Sequence, residues 1–164
     1  MKTPAPPGLR HAPREVFELI LDYAVIPTFD LIVRLPDRRV VLVRRKIAPY
    51  GNTWALPGLR MMKPEGIDDT LARIAQSELG ISIQTEGRRF IGQYVGRFKT
   101  EHRRQDLSTC YTVATDATRI AINQDHFHGL RLIGQASEIP RRTGAMYRFF
   151  LQRYFDSGSN HTLD

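Results

Sequence analysis

Apolar residues recur along this chain with two distinct periods, and the change of period separates helices from strands. Pro13 can open a helix in which Val16, Leu19, Ile20 and Tyr23 return at helical spacing. The apolar runs 29–33 and 39–43, joined through Leu35-Pro36-Asp37, predict a β-hairpin. Residues 46–53 are rich in turn formers and predict a loop, after which Trp54-Ala55-Leu56 leads into Pro57-Gly58. An irregular stretch reaches Gly66, and the next helix is one that Asp68 or Asp69 can cap and Gly80 can stop. Residues 81–83, 89–98 and 107–115 predict further strands, with one more at Leu130-Arg131-Leu132. A last helix, about 144–155, carries Met146, Phe149, Phe150 and Tyr154. Strands mixed with two or three helices predict an α+β or α/β sandwich. The Pro-rich residues 1–12 and the polar tail 157–164 are expected to be poorly ordered, leaving 13–156 as a single domain.

Composition narrows the class. With 164 residues, 41% hydrophobic and 25% charged, the chain reads as one globular domain, and no apolar run approaches the roughly 20 residues of a spanning helix. The N-terminus has no hydrophobic stretch that could act as a secretory signal, so a cytoplasmic location and no membrane partner are expected. The lone Cys110 excludes an internal disulfide and lies in an apolar run, as a buried structural thiol would. A net charge of +7 points to an anionic partner. Of the 24 basic residues 20 are Arg, whose planar fork grips phosphate oxygens in pairs. They are scattered rather than gathered into an arm or stripe, so nucleotides are favoured and nucleic acid is not expected.

One helix position carries unusual chemistry. Leu71, Ile74, Ala75 and Leu79 form an apolar stripe, and Glu78 falls inside it. A buried carboxylate must be compensated, either by a cation in a cavity or by an Arg. Magnesium, held through carboxylate, main-chain carbonyl and substrate phosphate, would satisfy it.

From Pro57 to Gly80 the chain resembles a known family. The Nudix box reads G-x5-E-x7-R-E-U-x-E-E-x-G-U, with U aliphatic, and Gly58, Glu65, Arg73, Glu78, Gly80 and Ile81 follow in that order. One extra residue separates Gly58 from Glu65, and Ile74 and Ser77 stand where two glutamates are usual. The same insertion and losses mark the GDP-mannose mannosyl hydrolase branch, which this chain resembles at Pro57, Gly58, Arg60, Lys63, Glu65, Arg73, Glu78, Leu79 and Gly80. Asp30, Arg45, Pro49 and Trp54 extend the likeness upstream. Downstream, the loop Gln124-Asp125-His126-Phe127-His128 is similar to one that supplies a metal ligand and then a catalytic His.

The resemblance implies an α+β Nudix fold, an α/β/α sandwich whose mixed sheet packs between helices, with an added N-terminal helix. It also implies hydrolysis of a nucleoside diphosphate sugar, GDP-mannose or GDP-glucose, to GDP and free hexose by water attack at the anomeric carbon. Glu78, the Gly58 carbonyl and Asp125 would hold magnesium, with manganese able to substitute; His126 would be the base, with His128 also in reach, and Arg60 would grip the diphosphate. Asp30, Arg45 and Arg73 would contact substrate, although Arg73 could instead tie down Glu65. Pro49 with Tyr50 reads as loop geometry, with the aromatic ring able to stack on a base. Two other classes stay open: a Nudix diphosphatase attacking phosphorus, and a catalytically idle nucleotide-binding module. The apolar face of the N-terminal helix, outside the Nudix core, predicts a homodimer.

Overall fold

The computed structural model describes residues 8–47 and 51–159. Pro13, at φ −54°, precedes helix α1 (Arg14–Tyr23), and two residues later the chain enters strand β1 (Ile26–Arg34). A tight turn, closed by hydrogen bonds between Leu35 and residues 38 and 39, puts Arg38 in the left-handed region at φ 72° and turns the chain into β2 (Val40–Arg45). Short strands β3 (Trp54–Ala55) and β4 (Gly58–Arg60) follow, then helix α2 (Ile67–Leu79).

The cap of α2 differs from the expectation. Gly66 occupies the N-cap, while Asp69, three residues on, accepts the Gly66 amide at 2.9 Å. A carboxylate in the first turn thus satisfies a donor outside the helix, as the third residue of a helix often does. Gly80, at φ 64°, ends the helix as predicted. Residues 81–83 do not form the expected strand: the Ile81 amide still points back to the Ala75 carbonyl, and the Ser82 carbonyl accepts the Thr115 hydroxyl. Those polar groups are therefore not available to a ladder, and strand β5 runs instead over Gln84–Arg97. Strands β6 (Gln105–Ala114) and β7 (Phe127–Ile133) and helix α3 (Ala145–Ser159) complete the chain.

The strands form one mixed seven-stranded sheet. β1 lies parallel to β6 along its whole length, while its other edge pairs antiparallel with β4 near its start and with β2 at its end. β6 pairs antiparallel with β5, and β2 with both β3 and β7. Residues 28–33 of β1 are buried without alternation, the mark of a strand covered on both faces. On one face Tyr94 and Phe150 meet edge to face, placing α3 there. On the other, Arg88 lies over Tyr111 and pairs with Asp68 of α2. This is the α/β/α sandwich. Leu71, Ile74, Ala75 and Leu79 are fully buried, as their stripe predicted, and Cys110 is a buried free thiol. No described helix is long and apolar enough to cross a membrane.

Candidate active site

Glu78 is buried in the apolar stripe of α2, at 1% exposure, and the side chain it meets is a histidine rather than an Arg. The His126 ring nitrogen Nδ1 stands 2.7 Å from Glu78 Oε1. Backbone geometry makes that meeting: the Asn123 amide donates to the Glu78 carbonyl at 2.9 Å, and the Asn123 carbonyl in turn accepts the amides of His126 and Phe127. A single turn is thereby seated on the end of α2. The same turn is tied to β2, because the Lys46 amide donates to the His126 carbonyl and the Lys46 ammonium to the Gln124 carbonyl. Burial raises the Glu78 pKa above the ordinary carboxylate range, against the opposing pull of His126, Arg45 and Asn123. Asp125 is exposed beside His126, its amide held by the Asn123 side chain at 3.0 Å, and His128 lies exposed on β7.

Asp30 is the second buried acid. Its Oδ2 accepts the hydroxyl of Ser108, from the neighbouring strand β6. Burial pushes the Asp30 pKa up to about 7, with Ser108 and Arg45 pulling it back and Asp106 adding to the rise. Opposite it in the β1–β4 ladder is Gly58, where a Cβ would come within 2.2 Å of Asp30 Oδ1 and 2.7 Å of the Phe29 carbonyl oxygen. Only glycine fits there. Arg45 acts electrostatically on both buried acids, pulling the pKa of each down.

A cleft of about 320 Å³ opens on the α3 face of the sheet, and Asp30, Arg45, Gly58 and Arg60 all line it. Arg60 and Arg104 bring two further guanidinium groups to the wall beside Arg45, a setting suited to a diphosphate. Glu78, Asp125, His126 and Arg73 do not line this cleft, and Arg73 instead pairs with Glu65 and donates to the Arg60 carbonyl at 2.7 Å. The geometry is that of the loop tie. Burial opposes charge on Glu65, but Arg73, the Met62 amide and Thr70 outweigh it and hold its pKa below the usual carboxylate range. Trp54 serves the scaffold, its ring flanked by Arg44 and Arg131 at about 6 Å. Pro49 and Tyr50 lie outside the described residues.

Sequence reasoning missed Ser108, Asp106, Arg104 and Phe17. Asp106 and Ser108 alternate with exposed or half-buried neighbours along β6, so their shared face was legible as a polar stripe on a strand, but nothing local said that the stripe faced Asp30. A larger cleft, about 690 Å³, lies at the far end of β1 between Arg34, Arg89, Tyr154 and Phe155, and none of the expected site residues reaches it.

Among the described residues no three His, Cys, Asp or Glu side chains gather to hold a metal ion. Of the expected ligands, the Glu78 carboxylate is buried against His126, and the Asp125 carboxylate is exposed one residue before His126; oxygen donors of this kind suit a hard divalent cation such as magnesium, which is commonly held by only one or two carboxylates.

The chain is similar over 70% of its length to the low-salt glycan biosynthesis protein Agl8 of Haloferax volcanii, at 26% identity and covering 74% of that protein. Its fold is similar to that of a MutT NUDIX hydrolase from Burkholderia pseudomallei, with TM-score 0.68, 18% identity and coverage of 78% of this chain and 96% of the other. It is also similar to the NUDIX domain of Shewanella oneidensis NrtR, solved in complex with ADP ribose, with TM-score 0.65, 15% identity and coverage of 89% and 99%. The sequence profile of the NUDIX domain matches residues 25–149, from the start of β1 into α3, and on that match the chain belongs to the NUDIX domain family.

Proposed function

We propose that this protein is a metal-dependent hydrolase of nucleoside diphosphate sugars, of the GDP-mannose or GDP-glucose type, that releases a nucleoside diphosphate and free hexose. The observation that carries the reading is the pairing of half-buried His126 with buried Glu78, on a Nudix helix whose other two carboxylate positions hold a buried Ile74 and an exposed Ser77. Attack on phosphorus needs carboxylates to hold metals and activate water; one helix carboxylate and one histidine suit attack on carbon. The similarity to a glycan biosynthesis protein supports a sugar-bearing substrate, and the ADP ribose bound by a structural relative supports a nucleoside diphosphate as its core.

In this mechanism Glu78 accepts a hydrogen bond from the Nδ1–H of His126 and so selects the tautomer whose Nε2 is a free base. Nε2 takes a proton from water as the water oxygen bonds to the anomeric carbon, and the bond from that carbon to the diphosphate oxygen breaks with its electron pair. Arg45 and Arg60 hold the departing diphosphate by charge-assisted hydrogen bonds. Glu78, Asp125 and the Gly58 carbonyl are the groups that would hold magnesium or manganese, which supplies charge neutralisation at the diphosphate when bound. Asp30, largely protonated below about pH 7, presents a polar group to a sugar hydroxyl.

A panel of nucleoside diphosphate sugars assayed in ¹⁸O water with magnesium tests the proposal. The label is expected on the anomeric carbon, with inverted configuration. Label on phosphate would instead identify a diphosphatase, and nucleotide binding without turnover an idle binding module. The reading extends to assembly: Val16, Leu19, Ile20 and Tyr23 of α1 form an exposed apolar stripe, which supports a homodimer.

A further inference from the structure

Helix α1 turns its apolar stripe away from the body of the protein. It lies outside the NUDIX match, and none of its residues is fully buried. Had hydrophobic burial fixed its orientation, Val16, Leu19, Ile20 and Tyr23 would face the body; they face outward, at 37% to 87% exposure. What turns inward is Phe17, which lines the cleft together with Asp30, Arg45 and Gly58. Its ring centroid lies 4.2 Å from the Arg60 guanidinium carbon, well inside cation–π range. Polar tethers on either side seat the helix there. The Arg10 amide donates to the Lys63 carbonyl at 3.0 Å, and Asp22 pairs with His102 on the β5–β6 turn at 2.8 Å.

Arg60 needs such a partner. Among the described residues no carboxylate forms an ion pair with it, and the guanidinium groups of Arg104 and Arg73 are near enough to add to burial in lowering its pKa. Its main chain is held, since its carbonyl accepts Arg73, but a long side chain on a fixed backbone still has many rotamers to lose when it grips an anion. An aromatic face packed on the guanidinium restricts those rotamers without neutralising the charge.

We infer that Phe17 is a positioning residue for Arg60, and that α1 is thereby a working wall of the anion-binding cleft rather than an appendage to the fold. This rests on the reading of the cleft as the site for a nucleoside diphosphate. The inorganic anion suffices to test it. Titration calorimetry of the full-length protein with pyrophosphate and with GDP, in magnesium, should show Phe17→Tyr binding as the wild type does, while Phe17→Leu, similar in apolar bulk but without a π face, binds roughly fivefold more weakly. In an Arg60→Ala background the Phe17→Leu change should cost nothing further, because its effect passes through the missing guanidinium. Equal binding by wild type and Phe17→Leu overturns the inference. So does a Phe17→Leu loss that persists without Arg60, which would mean that Phe17 only supports the fold, and so does a wild type that binds neither probe. The ¹⁸O experiment decides the reaction separately: a protein that binds GDP through the Phe17–Arg60 pair yet hydrolyses no sugar nucleotide would refute the proposed function and leave this pairing standing.

Discussion

Three residues have roles narrow enough to test singly. Glu78→Gln keeps the shape of the side chain but removes its charge, so it should lose most magnesium-dependent activity while remaining folded; unchanged activity with lowered stability would reduce Glu78 to a packing partner of His126. His126→Gln should lower turnover by roughly 10²- to 10⁴-fold, the range expected for loss of a general base. His128→Gln should have little effect, because His128 lies exposed on β7 while His126 meets Glu78. The reverse ranking in steady-state kinetics would transfer the role. At Gly58 the constraint is steric. A methyl group would sit 2.2 Å from Asp30 Oδ1 and 2.7 Å from a backbone carbonyl oxygen, and the backbone cannot yield as a flexible side chain can. Gly58→Ala should therefore destabilise by about 3 kcal/mol, at the upper end of ordinary overpacking, read from urea denaturation. An unaltered midpoint would mean that β4 shifts freely.

At the scale of elements, α2 and α1 show two ways of holding a helix. α2 is held by its apolar stripe, a Gly stop and the Arg73–Glu65 tie across the preceding loop, all within one stretch of sequence. α1 depends on partners far along the chain, and one of them titrates. His102 has its pKa raised by the Asp22 carboxylate, with Glu101 and Glu18 adding to the rise, above an ordinary value of 6.5. A raised histidine pKa means that the folded form binds the proton more tightly than the unfolded one, so its contribution is fully present below about pH 6.5 and fades as pH rises through the folded value. Proteolytic cleavage within α1 should accordingly become faster as pH is raised past that point. The Asp22→Asn protein should show the faster cleavage throughout and little pH dependence; an identical profile in both proteins would separate the pair from the docking of α1.

At the scale of the whole molecule, the outward stripe of α1 predicts association. Sedimentation velocity is expected to give a dimer, and Leu19→Glu, which places a charge on a residue 56% exposed, a folded monomer. A wild-type monomer would end the dimer reading. The sequence alone determined what depends on near neighbours: the periods that define the hairpin, α2 and its Gly80 stop, the spacing of the Nudix box, and the placing of Glu78 inside an apolar stripe where it had to be compensated. It misplaced the cap of α2 and the strand at 81–83, because one- or two-residue choices at element ends turn on which backbone group a side chain or a distant strand captures. Tertiary structure alone decided who compensates whom. Glu78 meets a histidine 48 residues away, Asp30 a serine 78 residues away, and Arg60 a phenylalanine from a helix outside the matched family region. Such pairings are set by sheet register and by turns docked on helix ends, and no local period encodes them: a residue's face follows from its neighbours in sequence, but what that face meets follows only from how the layers close.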